Sequence, residues 1–134
     1  MQPKTKKEGE PVMSNADQLS EHVLMQFTGS ENWYRHAFNR KVVFTDGVKH
    51  VADAAGAYWL LDEIALAQRY VKAVAEETFQ CWRLSVNQDS TGILVCEDGN
   101  GTAVYKKALD YTDFPVAGVT LWFADSTIFL PSEY

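Results

Sequence analysis

At 134 residues, with 46% hydrophobic and 13% aromatic side chains, the chain suits one packed domain, since roughly 150 residues is a common domain size. Those values exclude a disordered chain, a collagen-like repeat and a disulfide-dense secreted module. Twelve Lys and Arg against 18 Asp and Glu give a formal charge of −6, of which residues 1–13 contribute +1 and the remainder −7; a body of that sign repels a phosphate backbone, so direct nucleic-acid binding is not expected.

Residues 1–14 read as a polar tail with Pro and Lys and no periodicity, and 15–134 as one domain. The tail lacks the apolar run of a secretory signal, and no stretch approaches the roughly 18 apolar residues of a membrane span. A cytoplasmic address without membrane contact is expected. Leu19, Val23 and Phe27 recur at spacing four, which predicts an amphipathic helix over 15–27, capped by Asn15 or Asp17 and closed near Gly29. Residues 31–40 mix aromatics with charges and show no period. Val42-Val43-Phe44 predicts a short strand. Thr45-Asp46-Gly47 then predicts a helix start capped by Thr45 or Asp46, with Val48, Val51, Ala52 and Ala55 at helical spacing up to Gly56. From 57 to 77 there is no Gly or Pro and helix formers dominate, which predicts a long helix. Its stripe of Leu60, Ile64, Ala67, Val71 and Val74, flanked by Tyr58, Leu61, Ala65 and Gln68, is wide enough to meet a sheet and another helix at once.

After Thr78 the period falls to about two. Strands are predicted over 79–86, 93–97, 102–111, 119–125 and 127–130, with Asp98-Gly99-Asn100-Gly101 as a tight turn. Their short connections require antiparallel pairing. The expected fold is α+β: N-terminal helices packed on one face of a four- to five-stranded antiparallel C-terminal sheet. The strand with Ile128, Phe129 and Leu130 is expected at the sheet margin, where it would offer a homodimer contact. Cys81 and Cys96 fall in neighbouring strands and can face each other across the hairpin; without an export signal they read as reduced core residues.

His22, His36 and His50 match no metal-ligand spacing, have no Cys nearby, and read as surface or helix-end imidazoles. Neither a nucleophile elbow nor a glycine-rich phosphate loop occurs, so no metal and no cofactor are expected. Among the carboxylates, Asp62 stands out because helical spacing puts it beside Tyr58 and Trp59. A carboxyl pressed against rings is a usual route to a general acid; the structural alternative is a boundary carboxylate bonded to a Tyr hydroxyl or a backbone amide. Trp33, Tyr34, Tyr58 and Trp59 belong to an aromatic surplus that serves either the core or an interface. A ligand cleft, if the chain has one, is expected between the 57–77 helix and Trp33–Tyr34, lined by Asp46, Tyr58, Asp62 and Trp33.

In the stretches Gln26-Phe27-Thr28-Gly29, Thr45-Asp46-Gly47-Val48 and Gly56-Ala57-Tyr58-Trp59-Leu60-Leu61-Asp62, the chain resembles a bacterial family called domain of unknown function 6876, over about residues 19–130. The resemblance implies a small protein of the kind met on plasmids, phages and other mobile elements. It brings no activity and no catalytic residues. The expected function is a non-enzymatic protein-interaction or accessory factor of a mobile element, with a protein partner. The alternative is a small-molecule-binding protein or enzyme with a cleft near Asp62 and Trp33.

Overall fold

A computed structural model describes residues 14–134. The tail expected over 1–14 therefore lies outside the described residues except for Ser14. That serine, and not Asn15 or Asp17, caps helix α1 (Asn15–Gln18): its hydroxyl accepts the Asp17 N–H, and the Asp17 carboxylate accepts the Ser14 N–H in return. Ser20 caps α2 (Glu21–Leu24) through the Val23 N–H. The helix expected over 15–27 is thus two single turns with a corner at Leu19–Ser20. A serine that satisfies the free N–H groups of a new helix start competes with continuation of the old one. The corner lets Leu19 into the core while Leu24 and Phe27 pack on its margin.

The aperiodic segment after Gly29 contains strand β1 (Trp33–Arg35), which pairs antiparallel with β2 (Val43–Thr45). Thr45 ends β2 and caps α3 (Asp46–Ala55), its hydroxyl accepting the Val48 N–H. Gly56 closes α3 in the left-handed region at φ 62°, a conformation that costs glycine nothing. The long helix expected from 57 to 77 is α4 (Tyr58–Tyr70) followed by the short α5 (Lys72–Ala75). Val71 sits at the break: its N–H still donates to Ala67, while its carbonyl accepts from Val74 and Ala75 and opens the next turn.

Strands β3 (Phe79–Val86), β4 (Gly92–Glu97), β5 (Ala103–Leu109), β6 (Gly118–Ala124) and β7 (Thr127–Phe129) follow, and a 3-10 turn (Pro131–Glu133) ends the chain. Among the described residues the sheet has seven strands in the order β1-β2-β7-β6-β3-β4-β5, where four or five were expected. The difference comes from β1 and β2, which join the C-terminal strands through a parallel β2–β7 pair, Val43 opposite Thr127 and Phe44 opposite Ile128. Consequently β7 lies inside the sheet and not at its margin, and the edges are β1 and β5. The homodimer contact expected at 127–130 loses its ground, since both sides of that strand already have partners.

Alternation along the strands sends Gln80, Trp82, Leu84, Cys96, Leu121 and Ile128 to the face that meets α3 and α4, where Val48, Val51, Leu60, Leu61 and Ile64 complete the core. Cys96 pairs with Trp82 but Cys81 pairs with Glu97, so the two sulfurs point to opposite faces and do not meet across the hairpin. Both are free thiols, and burial pushes the Cys96 thiol up to about 12.

A polar knot inside this core ties α4, α5 and β3 together. The fully buried Gln80 amide donates to Gln68 Oε1 at 2.9 Å, and to the Val74 and Glu77 carbonyls at 2.8 and 3.1 Å. Its oxygen accepts from Gln68 at 2.7 Å and from the Trp82 indole at 3.0 Å. A buried amide is tolerated because each of its atoms is bonded. No helix among the described residues is long and apolar enough to cross a membrane.

Candidate functional site

Asp46 begins α3 and acts as an anchor for the segment before β1. Its Oδ2 accepts the backbone N–H groups of Glu31 (2.9 Å) and Asn32 (3.2 Å), and its Oδ1 accepts the Tyr34 hydroxyl at 2.9 Å. The Asp46 N–H in turn donates to the Ser30 hydroxyl. The Glu31 N–H bond, ahead of the Tyr34 and Asn32 bonds, holds the Asp46 carboxyl below its usual range, and the same carboxylate raises the Tyr34 phenol. One turn further along α3, Lys49 pairs with Asp53 at 2.7 Å and lies over the Tyr34 ring. The Tyr58 hydroxyl donates to Asp53 at 2.5 Å. Beside this network the Phe44 ring meets Tyr34 at a tilt and Tyr58 edge-on.

Asp62 does not meet the Tyr58 hydroxyl that helical spacing put within reach. Its partner comes from the aperiodic segment: His36 Nε2 lies 2.8 Å from Asp62 Oδ1. The His36 Nδ1 accepts backbone N–H groups from both Phe38 (3.1 Å) and Asn39 (3.0 Å), which leaves the ring proton on Nε2, donating to Asp62. His36 is 4% exposed and Asn39 5%. The Asn39 amide donates to the Ala65 carbonyl of α4, and its oxygen accepts the Lys41 N–H. Residues 36–42 thus form a loop braced from within by one imidazole and bolted to α4 by one asparagine. His36 is therefore a buried structural imidazole, not the surface or helix-end group expected; a segment without period gave no signal that its His and Asn point inward.

The expected lining of a single cleft is distributed over separate places. Tyr34 faces α3, so the neighbouring Trp33 points to the opposite side of the sheet, where it is 57% exposed. Asp62 borders a depression of about 200 Å³ with Glu63, Leu66, Tyr70 and Tyr105. Trp59 packs against the core and borders another hollow with Leu109 and Tyr111. Asp46 and Tyr58 are linked indirectly, through Tyr34, Phe44, Lys49 and Asp53. No group of three His, Cys, Asp or Glu among the described residues is placed to hold a metal ion.

On the side of the sheet away from α3 and α4, aromatic rings gather instead. Trp122 meets Phe79, Phe129 and Tyr134 edge-on at 5.2, 6.1 and 5.7 Å, and Phe129 stacks on Tyr134 at 6.0 Å. The pairings place Trp33 opposite Thr45 and Phe129 opposite Trp122, so Trp33 extends the same row toward the β1 edge. Cations flank it at Arg35, Arg83 and Lys106, with Glu97 bound to Arg83 at 3.1 Å.

Comparison with known proteins matches residues 18–134 to a family of unknown function. No curated protein and no solved structure matches the chain.

Proposed function

The chain belongs to the family of unknown function DUF6876, and from that premise we propose that it is a non-enzymatic interaction protein, an accessory factor of a mobile element, that meets a protein partner through the open face of its sheet. The observation that carries this reading is the contrast between the two sides of the sheet. Asp46, Asp62, Tyr34 and Tyr58, the groups with chemical potential on the helical side, have their hydrogen bonds taken up in bracing loops and helix starts. The row from Trp33 to the Trp122–Phe129–Tyr134 cluster has no such internal duty at its ends: Trp33 is 57% and Tyr134 86% exposed. Trp and Tyr are enriched where proteins dock, because one ring supplies apolar area and a polar handle together. Arg35, Arg83 and Lys106 make the face more cationic than the body of −7, which suits an acidic partner surface.

The test is site-directed photo-crosslinking in cells, with the crosslinker placed at Trp33, at Tyr134, or at Gln88 on the β3–β4 turn. One acidic protein joined at both open-face positions and not at Gln88 is the expected result. Adducts equal at all three positions, or none at Trp33 and Tyr134 from folded protein, would remove this reading.

A further inference from the structure

We propose that the cleft between the 36–42 loop, the end of α4, α5 and the β6–β7 turn binds a small phosphate monoester that also carries hydroxyl groups. The cleft is open to solvent and has a volume of about 730 Å³, within the range of pockets that hold small organic ligands. Arg40 and Lys41 from the loop and Arg69 from α4 bring three cations to it, and Glu77 and Asp125 bring two carboxylates. Its apolar lining includes the buried Val42 and Phe123.

Elsewhere Lys49–Asp53, Lys72–Glu76, Arg83–Glu97 and Lys107–Glu63 are paired. Among the described residues the side chains of Arg40, Lys41, Glu77 and Asp125 form no ion pair or hydrogen bond, and Arg69 reaches the Phe38 carbonyl at 3.4 Å and the Tyr70 ring at 6.0 Å.

The backbone of the loop that presents Arg40 and Lys41 is held in place by the His36 and Asn39 bonds, so only their side chains have to be ordered on binding. A phosphate dianion suits a cleft lined by three cations, and guanidinium groups match its oxygens in pairs. The two carboxylates repel a bare anion but accept hydrogen bonds from hydroxyls. The complete ligand therefore needs an anionic end and a donor-rich end. A sugar phosphate and a nucleoside phosphate share that chemistry; Phe38, 64% exposed at the rim, gives a base a ring to lie against.

Calorimetric titration of the full chain at low ionic strength tests this, using a nucleoside monophosphate, a pentose phosphate and inorganic phosphate. The variants are Arg40→Ala, Glu77→Gln and, as a control on the open face, Lys106→Ala. Expected is one-to-one binding of at least one ester, weakened about tenfold or more by Arg40→Ala. Glu77→Gln should weaken the ester but not inorganic phosphate, and Lys106→Ala should change neither. Binding of the nucleoside ester alone identifies the nucleotide source, and binding of both esters alike identifies the sugar phosphate as sufficient. The proposal fails if neither ester binds the folded chain at millimolar concentration, if Arg40→Ala leaves binding intact, if Lys106→Ala weakens it equally, or if Glu77→Gln acts alike on ester and inorganic phosphate.

Discussion

His36 and Asp62 share one hydrogen bond but carry unequal weight. The imidazole is buried and serves two backbone donors besides Asp62, whereas the Asp62 side chain is 40% exposed. Replacing His36 by Ala strands the Asn39 N–H away from water, where a buried unpaired donor costs about 1–3 kcal/mol, and takes its acceptor from the part-buried Phe38 N–H as well. Asp62→Asn keeps an oxygen that accepts the Nε2 proton, and water reaches the rest. His36→Ala is expected to lower Tm by roughly 10 °C and Asp62→Asn by no more than about 3 °C, as read by thermal denaturation followed by circular dichroism. A larger loss in Asp62→Asn than in His36→Ala would show that the carboxylate, not the ring, organises the loop.

At the scale of elements, the start of α3 is where the C-terminus is fastened. The Glu133 carboxylate accepts the Thr45 hydroxyl at 2.6 Å, the Leu130 N–H at 2.8 Å and the Gly47 N–H at 3.1 Å, so a negative charge sits at the positive end of the helix. That approach needs Gly47: a Cβ there would stand 2.6 Å from Leu130 Cδ1 and 2.8 Å from Glu133 Cδ. Gly→Ala inside a helix ordinarily gains about 1 kcal/mol. Here the methyl displaces Leu130 and the carboxylate together, and crowding of this kind costs about 1–3 kcal/mol. Gly47→Ala is expected to lose stability in urea denaturation; a gain would mean that the 3-10 turn is free to move aside. The sequence offered Thr45 or Asp46 as the cap and Gly56 as the stop, because capping depends on neighbours within four residues. It gave no sign of Glu133, which arrives from more than eighty positions away.

For the whole molecule, the parallel β2–β7 pair is what makes one sheet out of two strand groups. Ile128 sits at its centre, fully buried, opposite Phe44 on one side and Phe123 on the other. Were β7 a margin strand, a lysine at this position would disperse a dimer and leave the fold intact. Inside the sheet the same lysine buries an unpaired charge, a change at the costly end of single substitutions, about 4 kcal/mol or more. Ile128→Lys is therefore expected to abolish cooperative folding, measured by circular dichroism with light scattering on the same sample. A well-folded Ile128→Lys monomer would place β7 back at an edge.

What the sequence determined by itself is the local grammar: periods of 3.6 in α3 and α4, the change to alternation after Thr78, the turn at 98–101, and the α+β class with antiparallel strands that follows. Those signals are local because backbone hydrogen bonds and caps are satisfied within a few residues. The short β1, the parallel partner of β2, the inward turn of His36 and Asn39 and the convergence of Arg40, Arg69 and Glu77 on one cleft were decided only by tertiary structure. Each depends on a partner brought from a distant part of the chain, and a side chain's own type says nothing about which distant atom will satisfy it.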